Sequence, residues 1–143
     1  MGQQQLLLII LGVIIDGIAV AVGITMFQDN AGDQNRSAVI ADLTTLAAKA
    51  QQFYAKPITL GGGGNSFATG GNGSGITADA AGLALLASTA FTNNANGTYT
   101  VKTAGSATQV VLRGVGKTAL SDGTFPTYDM TVTSQTQAPT KIN

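Results

Sequence analysis

The chain has 143 residues with seven basic and seven acidic side chains, so its formal net charge is zero and no nucleic-acid partner is expected. It contains no histidine, cysteine or tryptophan. These absences remove the commonest general base, the commonest metal ligand, thiol chemistry and disulfides. We therefore expect one domain of moderate core size that is not an enzyme and binds no cofactor or metal.

The first predicted element is an almost uninterrupted apolar run at residues 6–27. At about 1.5 Å per residue, a helix of this length spans roughly 33 Å, which matches the hydrocarbon core of a bilayer. A secretory signal is disfavoured because no basic segment precedes the run and no small-x-small cleavage site follows it. Asp16 is the only ionisable side chain in the run, and Gly12 and Gly17 lie on either side of it.

The same helix is predicted to continue as an amphipathic segment. Between residues 39 and 54 the apolar side chains recur at steps of three and four, which places them on one face, with Asp42 and Lys49 on the opposite face. Pro57 then ends the helix, because it lacks an amide donor and restricts the residue before it. We predict one helix over about residues 3–55 that packs on the rest of the chain through Val39, Leu43, Leu46, Ala50 and Phe53.

Beyond Pro57 the chain is rich in glycine and threonine. Residues 60–75 are predicted to form a surface loop, without the lysine that a phosphate-binding loop needs. Residues 77–88 are predicted to form a short helix capped by Thr77.

Alternating apolar and polar residues then predict strands at 98–103, 109–113 and 128–133, the first two joined by a turn at Gly105 and Ser106. Asp122 and Asp129 are expected to cap the turn between them. A sheet with one apolar face needs a cover, and the helix face at residues 39–54 can supply it.

The predicted fold class is therefore α+β, a long N-terminal helix whose C-terminal half packs on a small antiparallel sheet of three to four strands. The chain divides into a hydrophobic helix half at 1–27, an amphipathic helix half at 28–56 and a β domain at 57–143.

This layout resembles the type IV pilin family and its pseudopilin relatives. The resemblance is carried by the early apolar run "LLLIILGVIIDGIAVAVGI", its unbroken continuation into an amphipathic half-helix, a glycine-rich loop and a small C-terminal sheet. It implies a structural subunit of an extracellular, cell-surface type IV pilus-like filament for adhesion, motility or aggregation. The subunit would lie in the inner membrane as a precursor, and its partners would be a prepilin peptidase, an assembly platform and identical subunits.

In such a helical filament of identical subunits, the apolar side chains of the first helix half form the core. The residues expected to pack there are Leu6, Leu7, Leu8, Ile9, Ile10, Leu11, Val13, Ile14, Ile15, Ile18, Val20, Val22, Ile24 and Phe27.

The family usually carries a glutamate a few residues into the mature helix, where this chain has Gln3, Gln4 and Gln5. We hypothesise that Asp16 takes the role of that glutamate by accepting a contact from the N-terminus or from Gln3–Gln5 of a neighbouring subunit. The alternative is a protonated Asp16 in a stretch loosened by glycine, or an error in the assigned sequence at this position. The mature N-terminus is either Met1 or Gln3.

Two other functions remain open: a minor pseudopilin of a type II secretion or DNA-uptake machine, and a single-pass membrane-anchored binding domain. Asn35, Asn72 and Asn96 each match the N-x-Ser/Thr pattern and are possible glycosylation sites. Such matches also arise by chance in a chain rich in asparagine and threonine. Asp33 and Arg36, three residues apart, are expected to form a weak exposed ion pair.

Overall fold

The longest element is helix α1, Gly2–Ala55, which agrees with the prediction to within one residue at its start. The structure is a computed structural model that describes residues 2–70, 73 and 75–143. The helix runs without a break because no proline precedes Pro57. Its residues 2–30 are all exposed, whereas its second half carries a buried face. The first half of α1 therefore projects from the domain.

The sheet is an antiparallel meander of four strands, β1 (Gly97–Thr103), β2 (Gln109–Gly116), β3 (Thr127–Thr133) and β4 (Gln137–Lys141), in the order β1-β2-β3-β4. Strand β2 continues three residues beyond its predicted end. Strand β4 was not predicted individually, and it contains Pro139, which an edge strand tolerates because one side of it forms no ladder.

Strands and helix run along one another. Asn35 of α1 lies at the end of β2, where a Cβ on Gly116 would fall 2.1 Å from Asn35 Oδ1. Gln51 of α1 donates to the carbonyl oxygen of Thr133, at the end of β3, at 3.0 Å. The helix from residue 35 to residue 51 covers about 24 Å and β2 covers about 23 Å, so the strands lie almost parallel to the helix axis.

The domain therefore has two ends. We call the end from which the first half of α1 projects the basal end; it is formed by residues 93–97, 116–127 and 142. The distal end holds the C-terminus of α1 and the single 3-10 turn Ile58–Leu60 that follows it.

The hydrophobic core lies between the second half of α1 and one face of the sheet. The five residues predicted to pack there are buried, with Phe53 the most exposed of them at 7%. Alternate residues of β2 and β3 face them, so the α+β class predicted from the sequence is confirmed. The largest sheet residues that are almost completely buried in this core are Tyr99, Val110, Leu112, Met130 and Val132.

The segment between α1 and β1 differs from the prediction in two respects. Instead of one helix at 77–88 there are two short ones, α2 (Ala80–Ala84) and α3 (Thr89–Thr92). Asp79 and not Thr77 caps α2, because its carboxylate accepts from Gly82 N at 2.9 Å, while the Thr77 hydroxyl donates to the same oxygen.

The glycine-rich loop is also more firmly held than predicted. Phe67 is fully buried in the core. Its amide donates to the Ser106 carbonyl at 3.1 Å, and its own carbonyl accepts from Ile76 at 2.9 Å. At Phe67 the loop is therefore held against the turn between β1 and β2.

Candidate functional site

The first half of α1 is the most unusual surface of the molecule. The large apolar side chains between Leu6 and Phe27, which include all those expected to pack in a filament core, are 49–78% exposed. The most apolar window of α1 has a mean hydropathy of 2.8, and none of it is buried. By length and composition this helix is able to cross a membrane.

Four small or polar residues of the first half of α1 fall along one line. At about 100° per residue, Gln5, Gly12, Asp16 and Gly23 lie within about 40° of one line along the helix. Asp16 is 27 residues from the buried Leu43, which at the same pitch places it about 180° from the face that packs on the sheet. These four residues therefore lie on the side away from the domain, whereas Gln3 and Thr25 lie within about 40° of the direction of Leu43.

Gln3, Gln4, Gln5 and Asp16 are all exposed in the isolated subunit. Gln5 and Asp16 are separated by about 16 Å along the helix axis. Because an unbroken helix joins them, their side chains cannot meet within one chain. A contact between them requires a second copy of α1 displaced along the axis.

A polar network joins α1 to the basal end of the domain. One oxygen of Asp42, Oδ2, accepts three hydrogen bonds, from Asn94 Nδ2 at 2.9 Å, Asn96 Nδ2 at 3.0 Å and the Tyr99 hydroxyl at 2.7 Å. Asn35 Nδ2 donates to the Asn96 carbonyl at 2.7 Å. These bonds hold the segment before β1 against the helix, so Asp42 is a structural link and not the solvated side chain that the helical pattern predicted.

The charge state of this network follows from its contacts. Burial acts to raise the pKa of Asp42, but the hydrogen bonds from Asn96, Tyr99 and Asn94 outweigh burial and hold the pKa below its ordinary value. Burial and the nearby carboxylate together raise the pKa of Tyr99. At neutral pH the pair is therefore a carboxylate that accepts from a neutral phenol.

Asp129 does not cap the turn as predicted. Strand register places it opposite Arg113, whose Nε donates to Oδ1 at 2.7 Å, and Lys102 Nζ donates to Oδ2 at 2.5 Å. The hydrogen bond from Arg113 is the main reason that the pKa of Asp129 lies below its ordinary value. The prediction for Asp122 is correct, because its carboxylate accepts from Thr124 N at 2.9 Å within the turn.

Asp33 and Arg36 form the predicted exposed pair, at 2.8 Å. Among the described residues, no group of three or more carboxylate, histidine or cysteine side chains is placed to hold a metal ion. A cavity of about 250 Å³ lies between α2, α3 and β1, and its only acidic residue, Asp79, is committed to the α2 cap.

The three candidate glycosylation sites differ in their surroundings. Asn35 is only 8% exposed, and Asn35 and Asn96 both use Nδ2, the atom that would carry a sugar, as a hydrogen-bond donor. The folded domain therefore disfavours glycosylation at these two positions. Asn72 lies outside the described residues.

Comparisons of this chain with protein-family models, with curated proteins and with solved structures found no match.

Proposed function

We propose that this chain is the structural subunit of an extracellular type IV pilus-like filament, assembled by packing the first half of α1 among copies of itself. The observation that supports the proposal is the exposed apolar first half of α1, which projects from a folded domain. Each large aliphatic side chain gains about 1.5–3 kcal/mol when it is removed from water. The projecting half must therefore be covered, by lipid before assembly and by other copies afterwards.

The presence of Asp16 favours other copies of α1, and not lipid, as the final environment of the projecting half. A carboxylate at the centre of a bilayer costs about 2.5–3.5 kcal/mol on insertion scales. In a bundle of identical helices, the same carboxylate can accept from the amide of Gln5 or Gln3 of a neighbour. Such a contact requires neighbouring subunits to be displaced by about 16–20 Å along the helix axis. A filament map in which Asp16 lies more than about 5 Å from any donor would refute this pairing.

The proposal includes a precursor in the inner membrane, processing by a prepilin peptidase and export through an assembly platform, with adhesion, motility or aggregation as the role of the finished filament. The two alternatives, a minor pseudopilin and a membrane-anchored binding domain, predict the same exposed helix. They differ from the first proposal in whether the chain forms long filaments by itself.

The test is to purify the full chain in detergent, remove the detergent and examine the product by negative-stain electron microscopy. We expect long filaments from the natural chain. Ile14→Lys, which places a charge at the centre of the apolar half, should abolish them. Leu60→Lys is the matched control, because Leu60 is 65% exposed at the distal end, and it should still assemble.

Near-ultraviolet circular dichroism of the tyrosines, all three of which lie outside the projecting half, verifies that both variants keep a folded domain. A natural chain that stays monomeric without detergent, or filaments of Ile14→Lys, would contradict the proposal. Recovery of the natural chain only in lipid vesicles, without filaments, would favour the membrane-anchored alternative.

A further inference from the structure

The basal end of the domain carries three apolar side chains, Leu120, Phe125 and Ile142, which we call the basal patch. Phe125 is 46% and Ile142 is 47% exposed. Ile142 N donates to the Thr127 carbonyl at 2.9 Å, so Phe125 and Ile142 both lie beside the start of β3. Leu120 packs on α1 at Gly32, where a Cβ would fall 2.8 Å from Leu120 Cδ2. The patch is therefore next to the point where the projecting half begins.

The distance from this patch to the apolar run matches the depth of a lipid headgroup layer. Gly32 is five residues beyond Phe27, or about 7–8 Å along α1. A bilayer has a core of about 30 Å inside a total thickness of about 40–45 Å, which leaves roughly 5–8 Å for the headgroups on each side. When residues 6–27 fill the core, the basal patch is at the outer part of that layer.

A tilt of the helix brings the patch deeper. The apolar run, roughly 33 Å long, exceeds the core by about 3 Å, and an excess of this kind is accommodated by a tilt of up to about 25°. The sheet packs on one face of the second half of α1, and packed layers of this kind lie roughly 10 Å apart. A tilt toward that side would lower the patch by about 4 Å, which is enough for an aromatic side chain to reach the boundary with the acyl chains.

We propose that the basal patch docks on the surface of the bilayer that α1 spans, with Phe125 inserted among the headgroups, and that this contact sets the direction of the helix tilt. The charged residues around the basal end are of both signs and give it no strong net charge: Arg36, Lys117 and Lys141 are basic, and Asp29, Asp33, Asp42 and Asp122 are acidic. The lipid is therefore recognised by apolar contact and not by the sign of its headgroup. The inference rests on membrane insertion of α1, which the proposed function shares, but not on filament formation.

The absence of tryptophan from the chain makes a direct test possible. Phe125→Trp in the full chain introduces a single tryptophan at the patch, and Ile142→Trp provides an independent second reporter. Leu60→Trp is the matched control, because Leu60 is exposed near Phe53, about 30 Å beyond Gly32 along α1. Phe27→Trp reports insertion of the helix itself.

Each variant is reconstituted in phosphatidylcholine vesicles, with and without bromine on the acyl chains, and tryptophan emission is measured. Bromine should reduce the emission of Phe27→Trp, Phe125→Trp and Ile142→Trp by at least about twofold, and leave Leu60→Trp unchanged. If both patch reporters behave like Leu60→Trp while Phe27→Trp is quenched, the patch does not dock and the proposed function is unaffected. If Phe27→Trp is not quenched, α1 is not inserted, and both this inference and the membrane stage of the proposed function are wrong.

Discussion

Removal of the Asp42 carboxylate should detach the segment before β1 from α1. In Asp42→Ala, the Tyr99 hydroxyl loses its acceptor, and Tyr99 is only 1% exposed in the natural chain. An orphaned buried donor costs about 1–3 kcal/mol, and the hydrogen bonds from Asn94 and Asn96, which can partly rehydrate, add to this. We expect the free energy of unfolding to fall by about 2–4 kcal/mol.

The measurement is urea unfolding of the full chain in detergent micelles, followed by the near-ultraviolet circular dichroism of the tyrosines. Asp33→Ala is the matched control, because it removes an exposed carboxylate from the same helix and should cost only a few tenths of a kcal/mol. Asp42→Asn, which keeps an acceptor without the charge, should lie between the two. If Asp42→Ala unfolded within about 1 kcal/mol of the Asp33→Ala control, the network would not have the role assigned to it.

The pH dependence has a defined sign. The pKa of Asp42 is lowered in the folded state from an ordinary value of 3.8, so the unfolded state takes up a proton first as the pH falls. The stability that this carboxylate contributes is therefore complete above pH 3.8 and is lost as the pH falls through the lowered pKa. The difference in the free energy of unfolding between the natural chain and Asp42→Ala should therefore become smaller in that pH range.

Three other changes test separate parts of the structure. Asp129→Asn should weaken the contacts with Arg113 and Lys102. Because the pKa of Asp129 is also lowered in the folded state, this variant should lose less stability than the natural chain below about pH 4, as measured by urea unfolding across pH. Gly116→Ala should destabilise the domain by about 1–3 kcal/mol, because its Cβ would displace the Asn35 side chain and press on Pro126. Gly12→Ala, which has open space around it, should leave domain stability unchanged. Asp16→Leu should insert into vesicles more readily yet form filaments that dissociate at lower urea, and equal filament stability would refute a partner for Asp16.

Local patterns in the sequence were sufficient to predict much of the fold. The period of α1 and the alternation in β1, β2 and β3 depend on residues close together in the chain, so they are visible without the structure. Strand β4 has no such alternation and contains Pro139. Strand β4 forms because it can hydrogen-bond to the free edge of β3. The sequence of β4 does not show that this edge is available.

The polar contacts were harder to predict, because their partners are distant in sequence. Asp42 is more than 50 residues from Asn94, Asn96 and Tyr99. A signal did exist, because at about 100° per residue Asp42 lies about 20° from Phe53 and about 40° from Leu46, at the edge of the apolar stripe and not on the opposite face as predicted. A charge at such an edge is seldom left without a partner. Asp129 was assigned to a turn on the basis of nearby glycine and proline, although it lies within the strand predicted at 128–133. The register that sets it opposite Arg113 is visible only in the structure.

The parallel alignment of α1 with the strands has a mechanical consequence. A pulling force along the helix axis would act on all the contacts between α1 and the sheet at the same time, as a shear force. It would not break these contacts one after another. The Asp42 network stabilises the contact between α1 and the sheet toward one end, and the hydrogen bond from Gln51 to Thr133 stabilises it at the other. A subunit pulled by its projecting half would therefore stay folded until all the contacts between α1 and the sheet broke together.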